Sequence, residues 1–154
     1  MAVSAVFDLI DALVAQLPAA MPPGVQVFDG FPDTDATPAQ FVVIGVPDPT
    51  DESAATSASS QQQWGPIGNR ARDEEGDVFC VANVTNGDGS ASAARASLKA
   101  ILTAVESLLR TDPTLGVPTL LWTSYGTSTD LMQDQDDLGA LAMLTFSIHY
   151  RARI

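Results

Sequence analysis

Basic residues are scarce in this chain: 7 Lys and Arg stand against 19 Asp and Glu, a formal charge of −12. Such a chain repels phosphate instead of gathering it through counterion release, which excludes simple binding of free duplex DNA. The scarcity is uneven. Residues 1–69 contain no Lys or Arg, yet they carry Asp8, Asp11, Asp29, Asp33, Asp35, Asp48, Asp51 and Glu52. Cys80 is the only cysteine, so a disulfide within the chain and a four-cysteine zinc site are both ruled out. His149 is the only histidine and falls in the last apolar stretch, away from any nucleophile motif, so it reads as structural. G-x-S-x-G is absent, and "GPIGN" (residues 65–69) lacks the Gly-Lys-Ser/Thr ending of a phosphate loop. No apolar run approaches the roughly 18 residues of a membrane helix, and the N-terminus has no basic leader segment. The expectation is a protein made in the cytosol, without membrane contact.

What is present suits one domain spanning residues 1–154. At 154 residues and 45% hydrophobic content, the chain can bury roughly two thirds of its unfolded surface. Val6, Leu9, Ile10, Leu13, Val14 and Leu17 follow helical spacing, with Ser4 as a candidate N-cap and Pro18 as a stop. "VQVFDGF" and "FVVIGV" read as short strands, the second central to a sheet because it is almost continuously apolar. Residues 47–63, "PDPTDESAATSASSQQQ", offer almost nothing to a core and read as a polar mobile loop.

A strand follows at Val78–Val84, and a helix capped by Asp88 or Ser90 then carries Leu98, Ile101, Leu102, Val105, Leu108 and Leu109 on one stripe. "VPTLLWTSYG", "TDLMQDQ", the turn "DDLG" and "ALAMLTFSIHYRARI" form a long hairpin. This order, without regular β-α-β alternation, predicts an α+β fold: a single mixed, mainly antiparallel sheet with two helices on one face.

Two clusters invite chemistry. Asp130, Asp134, Asp136 and Asp137 supply hard oxygen ligands of the calcium or magnesium kind, but without a calcium-loop spacing they read as a solvated hairpin tip. A small metal-dependent enzyme using them is the enzymatic alternative; no cofactor or metal is expected. Arg70 and Arg72 end the acidic span, and three acids, Asp73, Glu74 and Glu75, follow at once. Two apart, the two arginines project to one side of an extended segment. They either pair with nearby carboxylates or meet the acids of a neighbouring copy, and both readings stand. Arg151 and Arg153 repeat the spacing, so four of the seven basic groups would cluster if both segments were strands on one side of the sheet.

The segments "GNRARDEE", "AARASLKAILTAVESLLRTDPTLG" and "GALAMLTFSIHYRARI" resemble the tail terminator (tail completion) proteins of long-tailed bacteriophages. The likeness runs from Trp64 to Ile154, with a weaker match in the opening helix and "VQVFDG". It implies a non-enzymatic virion protein, assembled in the host cytoplasm, that forms a hexameric ring on the head-proximal end of the tail tube. Such a ring stops tube polymerisation and meets the head-tail connector protein, while DNA passes its lumen without specific binding. On this reading Arg70, Arg72, Arg151, Arg153, Asp73, Glu74 and Glu75 are candidates for the subunit interface. Asp51, Glu52, Gln61, Gln62 and Gln63 are candidates for contact with the tail tube or connector. The alternative in the same class is a head-to-tail connector or neck protein.

Overall fold

The computed structural model of the chain describes residues 2–30, 38–47, 56–137 and 139–154. In chain order the elements are α1 (Val6–Ala20), β1 (Gln26–Asp29), β2 (Gln40–Ile44), β3 (Ala58–Trp64), β4 (Arg72–Asn86), α2 (Ala91–Thr111), β5 (Leu120–Asp136) and β6 (Gly139–Arg153). These six strands form one sheet in the order β1-β2-β4-β6-β5, with β3 also paired to β4. Among the described residues only β1 and β2 run parallel; the remaining pairs are antiparallel. Both helices pack on one face, so the fold is α+β as the segment order implies.

The helices form where apolar spacing demands burial. Leu9, Leu13 and Leu17 form the buried stripe of α1, and Ala94, Leu98, Ile101, Val105 and Leu109 form that of α2. They cover Val42 and Ile44 of β2, Val78, Cys80, Ala82 and Val84 of β4, and Phe146, Ile148 and Tyr150 of β6. Burial there pushes the Cys80 thiol up to about 12, leaving it a small apolar residue. Of the two caps considered for α2, Ser90 serves, its hydroxyl accepting from the Ala93 amide at 3.2 Å. Pro18 does not stop α1, which continues to Ala20. A proline one turn from a helix end forfeits little of the remaining ladder.

The expected loop at 47–63 is corrected over its second half. Ala58–Trp64 is a strand, although its side chains are mostly exposed. Partner backbone holds it: β3 pairs with β4 from Ala58↔Val78 to Trp64↔Arg72, and the Phe79 amide donates to the Ser57 carbonyl at 3.0 Å. Polar side chains forbid a core position but not an edge strand, whose contribution is its ladder. Asp51 and Glu52 lie outside the described residues.

The same principle lengthens β4, expected only at residues 78–84, back to Arg72. Along one edge β4 pairs first with β3 and then with β2, and along the other it pairs with β6 over its whole length, Asp73↔Arg153 to Asn86↔Ala140. It is the strand every other part of the sheet is referred to.

Gly76 sits in the middle of this strand because β3 comes too close for a side chain. An added Cβ would lie 2.4 Å from the Ser59 carbonyl oxygen and 2.9 Å from the Ser60 Cα. Gly76→Ala should therefore push β3 off β4, at a cost on the order of 2 kcal/mol typical of overpacking. Urea denaturation should show the loss, and amide exchange should speed up selectively at residues 58–64. Uniform exchange rates would refute the close approach.

Candidate functional site

Alternation along β4 divides the "RDEEGD" segment between two faces. Asp73, Glu75 and Asp77 point away from the helices, and Glu74 points beneath them.

On the outer face the cross-strand register sets acids beside two arginines and a histidine: Asp73↔Arg153, Glu75↔Arg151 and Asp77↔His149. Arg153 grips Asp73 with both arms of its guanidinium, Nε to Oδ1 at 2.7 Å and Nη2 to Oδ2 at 3.2 Å. Arg151 leans on the same carboxylate, Nη2 to Oδ2 at 3.8 Å. The Arg153 hydrogen bond holds the Asp73 carboxyl below the ordinary carboxylate range. His149 bridges its two acidic neighbours, with Nδ1 3.1 Å from Asp77 Oδ1 and Nε2 3.0 Å from Glu75 Oε1. Its ring lies 5.3 Å from that of Trp122. Gln61 and Gln63 of β3 flank these rows along a groove of about 670 Å³. The charged groups of this groove are taken up with one another, so they tie β4 to β6. Exposed pairs of this kind each contribute little to stability.

Glu74 is a different case, and its assignment to the subunit interface is corrected. The residue is fully buried. Its Oε1 accepts from the Ser4 hydroxyl at 2.8 Å, the Ala5 amide at 3.1 Å and the Tyr150 hydroxyl at 2.7 Å, while Gln62 Nε2 donates to Oε2. One carboxylate thus gathers the start of α1, β3 and β6 onto β4. The N-cap of α1 is Ala5, not Ser4 as expected; Ser4 lies one residue earlier, where its hydroxyl accepts from the Val6 amide at 3.2 Å and donates to Glu74. Burial alone would raise the Glu74 pKa, but the hydrogen bonds from Tyr150, Gln62, Ser4 and Ala5 together outweigh it, and the net shift is downward from 4.5. The Tyr150 phenol is pushed up by its own burial and by that carboxylate.

The four arginines expected to cluster at an interface separate. Arg72 folds back: Nη1 donates to Gln62 Oε1 at 2.9 Å, Nη2 donates to the Ala2 carbonyl at 3.2 Å, and the guanidinium lies 5.1 Å from the Trp64 ring centre. Arg151 and Arg153 are engaged by Asp73. Arg70 is exposed, and no hydrogen bond or ion pair engages it among the described residues. Gln62 is likewise occupied, so of the three glutamines only Gln61 and Gln63 remain on the outer face.

The turn between β3 and β4 is ordered by its own backbone. The Asn69 amide donates to the Pro66 carbonyl at 2.9 Å, and Gly68 takes φ +96, which a β-carbon would disfavour. Ile67, between them, projects entirely into solvent, and Trp64 nearby is 68% exposed. At the far end of the sheet, Asp130, Asp134 and Asp136 are strung along exposed β5, and among the described residues no three ligating groups converge to hold a metal ion. Strand geometry sets Asp130 and Asp134, four residues apart, roughly 13 Å from each other. Met132 stands between Asp130 and Asp134 on that face, 49% exposed. Neither Ile67 nor Met132 was singled out from the sequence; a lone apolar residue within "GPIGN" or "DLMQD" gives no pattern to read.

Comparison with known protein families finds no matching family model, and comparison with curated proteins finds no match either.

Because the folded pKa of Glu74 is depressed, its stabilisation is full above 4.5, the ordinary glutamate value, and is lost as pH falls through the folded value. Glu74→Gln keeps the shape but removes the charge-assisted bonds, so it should cost about 1–3 kcal/mol near neutral pH. Its stability should also fall less steeply in acid than the wild type's. Denaturation curves between pH 7 and 3 measure both; parallel curves would show that the carboxylate is not the tie.

Proposed function

We propose that this protein is a ring-forming tail terminator of a long-tailed phage. It would be a non-enzymatic virion subunit that caps the head-proximal end of the tail tube, ends tube polymerisation and meets the head connector. The observation that carries the reading is that the sheet has two unlike open sides. Among the described residues, β5 pairs only with β6 on one side, while on the other β3 pairs only with β4 and β1 only with β2. An open strand edge is a template for association unless it is blunted, and β3 has neither charge nor proline in "ASSQQQW". Unlike surfaces on one subunit generate heterologous contacts, which close into a ring when the rotation between copies allows it.

The overall order supports the same reading: an opening helix, a mixed sheet, one long helix and a terminal hairpin match the texture of the resembling segments. A net charge of −12 also suits a passage through which DNA slides without sticking. The groups best suited to a catalytic centre, the outer carboxylates and His149, are engaged as cross-strand ties.

Phage particles assembled without this protein should yield overlong tails lacking heads under electron microscopy, and adding the purified protein during assembly should restore uniform length. Tails of normal length that merely fail to attach to filled heads would overturn the terminator role in favour of a neck protein.

A further inference from the structure

We infer that copies of this chain join head to tail. The Ile67 turn of one copy, with Trp64 and Arg70, would seat on the Asp130–Met132–Asp134 stripe of the next. This rests on the ring reading above and names the surfaces that reading leaves open.

The two surfaces match in both apolar and electrostatic character. The donor surface is a hydrogen-bonded turn that holds Ile67 fully in solvent, beside an exposed Trp64. Arg70, the first cation of the sequence, lies on the same turn and is engaged by no described group. Arg72 stacks on Trp64 and so leaves that indole backed by a cation. On the acceptor surface, residues two apart on β5 share a face, which places Met132 between two carboxylates. Met132 pairs across the strands with Met143, which packs against the small apolar cluster of Val43, Val46 and Val81. Methionine is suited to receive a protruding aliphatic knob because its side chain is flexible and polarizable. An apolar anchor with an opposite charge at its rim is the usual anatomy of a specific contact.

A single copy cannot satisfy itself. The turn lies before Arg72, at the start of β4, whereas Met132 stands through Met143 in the row of Asn83, eleven residues further along that strand. At the rise of a β-strand this is roughly 35 Å. The two surfaces also lie on opposite sides of the sheet, beyond β3 and on β5. They therefore meet only between copies, and because they differ, the contact is heterologous, without the two-fold symmetry that stops at a dimer.

Disulfide trapping tests the pairing. Ile67→Cys and Met132→Cys are made as separate chains and mixed under mild oxidation; Cys80 is buried and does not compete. Both positions are exposed, so unchanged circular dichroism and melting temperature confirm folding. The expected product is a mixed dimer with one chain of each variant, cross-linked between positions 67 and 132. A chain carrying both substitutions should give a ladder of covalent oligomers. In parallel, Arg70→Glu should weaken association roughly tenfold at low salt, and combining it with Asp134→Arg should restore it. If the wild type assembles but the mixture gives only like-with-like dimers or monomers, these surfaces are wrong while the ring reading survives. If the wild type stays monomeric by light scattering both alone and with purified tail tubes, the ring reading fails with them.

Discussion

The structure turns on one buried carboxylate. Glu74 projects from the first half of β4 into the space beneath α1, where an unpaired charge would be too costly to keep. It is kept because the hydroxyls of Ser4 and Tyr150, the Ala5 amide and the Gln62 amide group converge on it. Those partners come from separate parts of the chain, so satisfying one side chain fixes the start of α1, the position of β3 and the alignment of β6 at once. The N-terminal segment is then fastened again, by Gln62 to the Val3 carbonyl and by Arg72 to the Ala2 carbonyl. Polar groups specify this end of the molecule; apolar packing specifies the middle.

This arrangement decides which charges remain for partners. An acidic chain with few cations commits most of its arginines internally: Arg153 and Arg151 to Asp73, Arg110 to Glu106, Arg72 to Gln62 and Trp64. The outer face of β4 and β6 is consequently a closed set of mutual pairs. Among the groups left open are Ile67 and Arg70 on one side of the sheet and Met132 between its flanking aspartates on the other. Among the described residues, no hydrogen bond or ion pair of these side chains ties one element of the fold to another.

Much of the fold was legible in the sequence. Helical spacing marks both helices, and the apolar character of "FVVIGV" gives β2 its place between β1 and β4. The hairpin of β5 and β6 follows from its alternation and its turn. The polar strands were not legible: β3 and the first half of β4 lack the alternation of a half-buried strand, since ladder bonds and Glu74 hold them instead of a hydrophobic face. The candidate site was legible only in part. "RARDEE" is visibly unusual, but sequence spacing alone puts Glu74 among its neighbours and cannot reveal that it faces inward while Asp73 and Glu75 face outward. The even choice between arginines folding back and arginines reaching a neighbour resolves residue by residue, with Arg72 folding back and Arg70 remaining.

The central claim is that this chain acts through assembly by two unlike ends of its sheet. Image averaging of assembled particles by electron microscopy tests it most directly. The account predicts closed rings in which the turn before β4 of each subunit abuts β5 of the next, all subunits being related by one rotation. Particles with two-fold symmetry, or rings joined through the outer face of β4 and β6, would contradict it.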